Sequence, residues 1–263
     1  MVDSANNSNE PLPVKPILLT NQFANANPSG PRAPKPTCAC LDPQFESDED
    51  ARWPELALHT EEQDTECDAW KHLLEIVDRA AKDGRETFAP AKEMPWNEWV
   101  QIVTLPQSIL KLKAVKELML YGSSLVRIPP EIGQMSNLEK FEPYTSYRLH
   151  WFPFEIVHCQ KLKKSCVSTR AIYGNFKYRM PFPRLPSISA ELTPKVCSIC
   201  SGPFTAKGPQ QVWISLKVAT DVLPLMVHAC SVPCVSALPQ SAPNYVMGPH
   251  FGGREMKQPP TRF

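Results

Sequence analysis

Apolar positions from Cys67 to Ala81 recur every three or four residues, with charged side chains on the opposite positions. This spacing predicts an amphipathic helix that ends at Asp83–Gly84. Upstream, Thr60 and Gln63 match a capping box, so we expect the helical region to open there.

A second short helix is predicted just before the middle of the chain. It begins at Pro95 and places Trp96 and Trp99 on one side. We therefore expect residues 60–104 to form a helical cap on the segment that follows.

Residues 105–185 carry a longer repeat. Large apolar residues recur 23 residues apart in two copies, and a third copy follows after 24. The first copy has Leu105, Ile109, Leu112, Val115, Leu118 and Leu120. A period of this length is typical of solenoids, in which each unit adds one short strand to a continuous sheet. The sequence therefore predicts an α/β solenoid.

Alternate residues of each predicted strand are expected on an exposed concave face. Those expected to contact a partner are Met119, Tyr121, Glu142, Tyr144, Cys166 and Ser168. Their neighbours in the same rows are Glu117, Lys140 and Lys164.

The repeat resembles the leucine-rich repeat family, whose unit reads L-x-x-L-x-L-x-x-N/C-x-L. The closest copy runs from Val115 through Leu118, Leu120 and Ser123 to Leu125. The resemblance implies a short leucine-rich repeat array that binds a protein partner through its concave face. Ser123, Ser146 and Arg170 stand where the family has Asn, so we expect the family's hydrogen-bond ladder to be weak or replaced.

Two cysteine pairs follow the repeat. Cys197 and Cys200 form a C-x2-C knuckle, and Cys230 and Cys234 form a C-x3-C pair at a predicted helix start. Four thiolates at this spacing can surround zinc, and a closed set leaves no position for a catalytic water. Free or redox-active cysteines are the alternative, and His228 could replace one cysteine as a ligand.

Between the cysteine pairs, two apolar runs predict a hairpin. A knuckle, a hairpin and a C-S-x-x-C helix start resemble treble-clef zinc fingers of the TRASH and FCS kind. The resemblance implies a small structural zinc module over residues 194–240.

Both ends of the chain are rich in proline, of which the whole chain has 29. We expect residues 1–52 and 241–263 to be disordered tails. Cys38 and Cys40 form a possible thiol pair, but they lack partners at metal-ligand spacing, so we expect them to be inert. Met1–Glu10 is polar and acidic, which predicts no signal peptide, a soluble chain and a cytoplasmic location.

The favoured function is a non-enzymatic scaffold that binds a protein. The sequence has no phosphate-cradling glycine loop and no H-E-x-x-H or G-x-S-x-G motif, which argues against an enzyme. An enzyme of unrecognised type stays an alternative, with His150, Trp151 and Glu155, or with Cys166, as its site. We expect His150 to occupy a repeat turn instead.

Nucleic-acid binding is a second alternative. Residues 161–184 combine basic side chains with Tyr173, Phe176, Tyr178 and Phe182, and contain no acidic residue. Such a segment could neutralise phosphates and stack on unpaired bases. A contiguous basic stripe with exposed rings would favour this alternative, and buried rings would favour the protein scaffold.

Overall fold

A computed structural model describes residues 38, 56–185 and 193–260. Helix α1 spans Asp68–Asp83 and buries one face, including Leu73, Ile76 and Val77. It ends as predicted, because Gly84 adopts a left-handed conformation with a φ of 62° and caps the last turn through Ala80.

The predicted capping box is wrong. Helix α1 begins at Asp68, well after Thr60, and its N-cap Cys67 makes no side-chain capping bond. The Gln63 side-chain oxygen instead accepts a hydrogen bond from the backbone N–H of Val103 at 2.8 Å. Gln63 therefore ties this segment to the chain just before the first repeat.

Two further elements lie before the repeats. Strand β1 (Thr87–Phe88) was not predicted, and helix α2 (Trp96–Trp99) begins after Pro95 as expected. Trp99 is buried in the main core, and Trp96 packs against that core while partly exposed.

Short strands and single-turn helices alternate through the repeat region. The strands are β2 (Glu117–Met119), β3 (Lys140–Glu142), β4 (Phe152–Pro153) and β5 (Lys164–Ser165). Short 3-10 helices lie at Gln107–Lys111, Pro130–Gln134 and Phe154–His158. Each follows a proline, whose fixed φ suits the entry to a helical turn.

The main sheet is parallel, in the order β1-β2-β3-β5. Leu118 pairs with Phe141, and Phe141 pairs with Ser165, so the register follows the spacing of the sequence repeat. The predicted α/β character is confirmed. Its interpretation as a leucine-rich repeat solenoid stays a prediction.

A serine pair connects two successive repeats at the turns that follow β2 and β3. The hydroxyl oxygens of Ser123 and Ser146 lie 2.6 Å apart, and the Ser146 oxygen also accepts the backbone N–H of Ser123 at 3.2 Å. The Ser146 hydroxyl in turn donates to the Leu120 carbonyl. Both residues are buried. The serine pair therefore links the two turns through buried side-chain hydrogen bonds.

The predicted hairpin is confirmed as strands β6 (Gln210–Val218) and β7 (Asp221–Ala229), which pair antiparallel along their whole length. The two-residue turn between them places Ala219 at a φ of 52°. Helix α3 (Val232–Ser236) follows.

The hairpin is joined to the repeats. Strand β4 pairs in parallel with β7, with Phe152 opposite Leu225, giving a second sheet in the order β4-β7-β6. One face of the hairpin, including Ile214 and Leu225, belongs to the same hydrophobic core as the repeats. The segment predicted as a zinc module therefore shares a sheet and a core with the repeats.

The other face of the hairpin supports a second core. Trp213 and Met226 pack there with Tyr173 and Phe182. The C-terminal segment covers this side, because the backbone of His250 exchanges hydrogen bonds with Trp213. Val246 is buried in the same core. The expected disordered tail from residue 241 is thus wrong for residues 241–260, and residues 261–263 lie outside the described part.

Most of the expected disordered tail over residues 1–52 also lies outside the described residues, and Cys38 alone belongs to the described part. Among the described residues, no helix is both long enough and apolar enough to cross a bilayer. The cytoplasmic location stays a prediction.

Candidate metal centre

The four predicted cysteines converge on one point. The sulfur atoms of Cys197, Cys200, Cys230 and Cys234 all lie within 4.8 Å of one another, and none of the four forms a disulfide. The Cys230 sulfur lies 3.6 Å from Cys200 and 3.5 Å from Cys234. Zinc–sulfur bonds of about 2.3 Å in a tetrahedron place sulfurs about 3.8 Å apart. The two distances from Cys230 lie within about 0.3 Å of this value. We call these four residues the four-cysteine group.

A tight turn holds the first pair. Across the turn, the backbone carbonyl of Cys197 accepts a hydrogen bond from the N–H of Ser201, and the N–H of Cys197 donates one to the carbonyl of Gly202. Within the turn, the N–H of Gly202 points at the Cys200 sulfur at 3.4 Å, and the N–H of Ile199 points at the Cys197 sulfur at 3.4 Å. Such N–H groups stabilise ionised sulfur, the form that binds a metal.

The second pair is held by the end of β7 and the start of α3. The N-cap Ser231 accepts a hydrogen bond from the backbone N–H of Cys234 at 3.4 Å. The N–H of Cys230 points across to the Cys197 sulfur at 3.3 Å. The hairpin thus sets the distance between the two pairs.

The thiols do not ionise equally. Burial opposes ionisation of Cys197, but the backbone N–H groups of Cys200, Ile199 and Cys230 outweigh it and lower its pKa to about 6. Ser231 lowers the pKa of Cys234, yet the neighbouring Cys230, Cys200 and Cys197 sulfurs outweigh this and raise it to about 12. Four sulfurs at these distances ionise together only around a cation. Their donor chemistry fits a soft or borderline metal ion.

His228 does not replace a cysteine, because the four sulfurs come together without it. It is buried in β7, and burial lowers its pKa to about 4, so the ring is neutral. Its backbone N–H bonds to the Ser198 hydroxyl, which itself donates to Glu155 at 2.7 Å. The knuckle is therefore tied to the third repeat through Glu155, whose pKa burial raises.

A cavity of about 580 Å³ lies beside this tie and is lined by Glu131, Glu155, Lys195 and His228, among others. Buried polar atoms at Glu131, Glu155 and His228 have no hydrogen-bond partner. Polar atoms of this kind are normally satisfied by water or by a bound molecule.

Cys38 has two histidines as possible ligand partners, which its sequence spacing did not indicate. Its sulfur lies 3.0 Å from the Nε2 atom of His59 and 3.3 Å from that of His150. Cys38 and His150 are both buried. The sequence could not reveal this group, because its members are separated by 21 and 91 positions and match no ligand spacing. Cys40 lies outside the described residues.

The alternative enzyme site is split by the structure. His150 lies with Cys38 and His59, whereas Glu155 bonds to Ser198 beside the four-cysteine group. We expected His150 to occupy a repeat turn, but it also contacts Cys38 and His59. It is fully buried, and its Nδ1 atom bonds to the Ala171 carbonyl.

The structure places some of the residues of the expected partner face side by side. The rings of Tyr121 and Tyr144 lie side by side with centroids 6.1 Å apart, and Cys166 is exposed. Met119 and Glu142 are half-buried beside them. Ser168 is only 7% exposed, so the expectation that it lies on the exposed face is wrong.

The basic segment is not one open stripe. Tyr173 and Phe182 are buried, and Phe176 is exposed. Arg184 pairs with Glu255, and Arg179 donates hydrogen bonds to C-terminal carbonyls.

No known family model matches the chain, and a search of curated proteins finds no match.

Proposed function

We propose that this protein is a non-enzymatic scaffold of the leucine-rich repeat kind, which binds a protein partner through the face of its parallel sheet. A structural zinc ion held by Cys197, Cys200, Cys230 and Cys234 stabilises the end of the array.

Three features support the leucine-rich repeat interpretation. The strand register follows the sequence repeat, a 3-10 helix recurs at the same place in each unit, and a buried serine pair joins consecutive turns. Each unit buries little by itself, so neighbouring units must cover one another.

The observation that carries the function is a patch of three tyrosines, Tyr121, Tyr144 and Tyr147, which we call the tyrosine patch. Tyr144 and Tyr147 are 45% and 42% exposed, which is high for large aromatic residues. Burial raises the pKa of Tyr147, and the nearby Tyr144 and Tyr121 raise it further. Clustered tyrosines offer a large contact area at low entropic cost and often dominate protein interfaces.

Charges border this patch in a way that suits a protein partner. Lys140 and Glu142 form an ion pair at 2.6 Å on the adjacent strand. A face with paired charges and exposed rings favours a mixed polar and apolar partner surface over a polyanion.

The contacts made by residues 161–184 support nucleic-acid binding less well than protein binding. Two of the four rings in residues 161–184 are buried, and Lys161 and Lys163 reach Asn137 and Glu139 on the neighbouring repeat. A stacking platform for single strands needs exposed rings along a continuous basic groove.

The test is capture of partners from native extract on the immobilised full chain. The double change Tyr121→Ala with Tyr144→Ala should abolish capture of the specific proteins, because it removes the centre of the patch. Zinc content and thermal unfolding should stay nearly unchanged.

The matched control is Phe176→Ala with Lys177→Ala, which removes an exposed ring and a charge from the basic segment instead. Unchanged capture by the tyrosine variant would contradict the proposal. Loss of capture in the control, together with sensitivity to nuclease, would favour nucleic acid. A sharp fall in melting temperature in the tyrosine variant would mean that the patch packs against the protein itself.

A further inference from the structure

We propose that Cys38, His59 and His150 bind a second zinc ion, which fastens Cys38 to the chain just before the third repeat. This site is independent of the four-cysteine group and of the proposed partner face. Three donor atoms from distant parts of the chain converge there, and the structure arranges each of them as a metal ligand.

The distances suit a single ion. The two Nε2 atoms of His59 and His150 lie 3.2 Å apart, and the Cys38 sulfur lies 3.0 and 3.3 Å from them. In a tetrahedral zinc site, bonds of about 2.1 Å to nitrogen and about 2.3 Å to sulfur separate such donors by about 3.4 to 3.6 Å. The group therefore needs only a slight expansion to hold zinc, with three of the four ligand positions supplied by these side chains.

The outer nitrogen of each histidine is already committed. The Nδ1 atom of His59 faces both carboxylate oxygens of Glu61 at 3.1 Å, and the Nδ1 atom of His150 faces the backbone carbonyl of Ala171. A carboxylate and a carbonyl only accept hydrogen bonds, so each Nδ1 carries the proton. In the neutral rings both Nε2 atoms then present lone pairs toward each other and toward Cys38.

Two lone-pair nitrogens 3.2 Å apart and a thiolate sulfur repel one another unless a proton or a cation lies between them. A cation at the centre satisfies both nitrogens and the sulfur at once. Histidine ligands whose second nitrogen donates to a carboxylate or a backbone carbonyl are the usual pattern around protein-bound zinc.

The surroundings hold these ligands in place. Glu61 is bound by Arg148, two residues before His150, so the carboxylate that orients His59 is anchored to the same repeat. The rings of His150 and Tyr173 pack at a centroid distance of 5.3 Å, which joins the site to the second core. Cys38 is 4% exposed and His150 is fully buried, so the site is closed to solvent on these sides. This points to a structural ion rather than a catalytic one.

The test is the zinc content of the purified full chain, measured after removal of loosely bound metal. We expect about two zinc ions per chain in the wild type and about one in Cys38→Ser and in His59→Gln. His59 is the safer variant because it is only half-buried, whereas a change at the fully buried His150 could prevent folding.

Two controls distinguish this site from the four-cysteine group. Cys166→Ser changes an exposed cysteine outside both groups and should keep two ions. In the cobalt-substituted protein, His59→Gln should remove the absorption of a site with mixed nitrogen and sulfur ligands and leave that of a four-sulfur site.

A wild-type chain that binds one ion with four-sulfur spectra would overturn the proposal, and so would His59→Gln with unchanged zinc content and spectra. A chain in which only the mixed-ligand spectrum is seen would support this site and contradict the four-cysteine one.

Discussion

Leu118 and Leu138 are fully buried, as the repeat spacing predicts, while Lys113 reaches outward to the carbonyl of Gln134. We expect Leu118→Ala and Leu138→Ala each to cost about 2 to 5 kcal/mol of unfolding free energy, because each leaves a cavity in the core. Lys113→Ala should cost under about 0.5 kcal/mol. Chemical denaturation of the three variants checks this, and similar losses in all three would refute the assignment of inward and outward positions.

The repeat made the inward residues predictable, since one position recurs in several copies. It did not predict single contacts. The pairing of Ser123 with Ser146 could be expected only as a substitute for the missing Asn, and the burial of Ser168 gave no signal. Cys38 was misjudged because its partners are far away in sequence and local spacing carries no information about them.

Elements were predictable where their apolar pattern is long. Helix α1 and the hairpin β6–β7 follow directly from such patterns, and only the start of α1 was misplaced. Strand β1 has two residues, too few for any periodicity, and it forms because β2 offers a free edge. The C-terminal segment was misjudged because its prolines indicate disorder, while its order comes from backbone bonds to Trp213 and from Arg179.

Acid should destabilise the C-terminal segment through the protonation of His250. Its ring packs edge-on against Phe182 at 4.6 Å, and burial lowers its pKa from 6.5 to about 4. Because the folded pKa is the lower one, the unfolded chain takes up the proton first as pH falls. The stability that neutral His250 contributes is complete above about pH 6.5 and is lost progressively toward pH 4.

We therefore expect His250→Gln to lose less stability than the wild type between pH 7 and pH 4.5, by an amount of order 1 to 3 kcal/mol. Urea unfolding followed by tryptophan fluorescence at several pH values measures this. Val246→Ala is the control, because it weakens the same segment without removing a titratable group. Parallel pH profiles for wild type and His250→Gln would show that another group is responsible.

At the scale of the whole molecule, the two proposed zinc ions lie at opposite sequence ends of one structure. The four-cysteine group closes the hairpin, the hairpin joins β4 at the start of the third repeat, and His150 lies two residues before that strand. The sequence indicated repeats followed by a zinc module. It could not indicate the union of the two in one sheet and one core, because the β4–β7 pairing joins residues that are far apart and follow different patterns.

This union determines what loss of the four-cysteine site should do. We expect Cys197→Ser or Cys234→Ser to release one zinc ion and to destabilise the hairpin, since metal binding contributes about 10 kcal/mol or more in small zinc modules. Hydrogen exchange should rise across β6, β7 and the paired β4, and should change least in α1, which packs against the 3-10 helix of the first repeat. Cys67→Ser, which changes a half-exposed cysteine beside α1, is the control.

Exchange that rises only within residues 194–238 would show that the hairpin behaves as an independent module despite its shared core. Full retention of zinc in both variants would contradict the site itself.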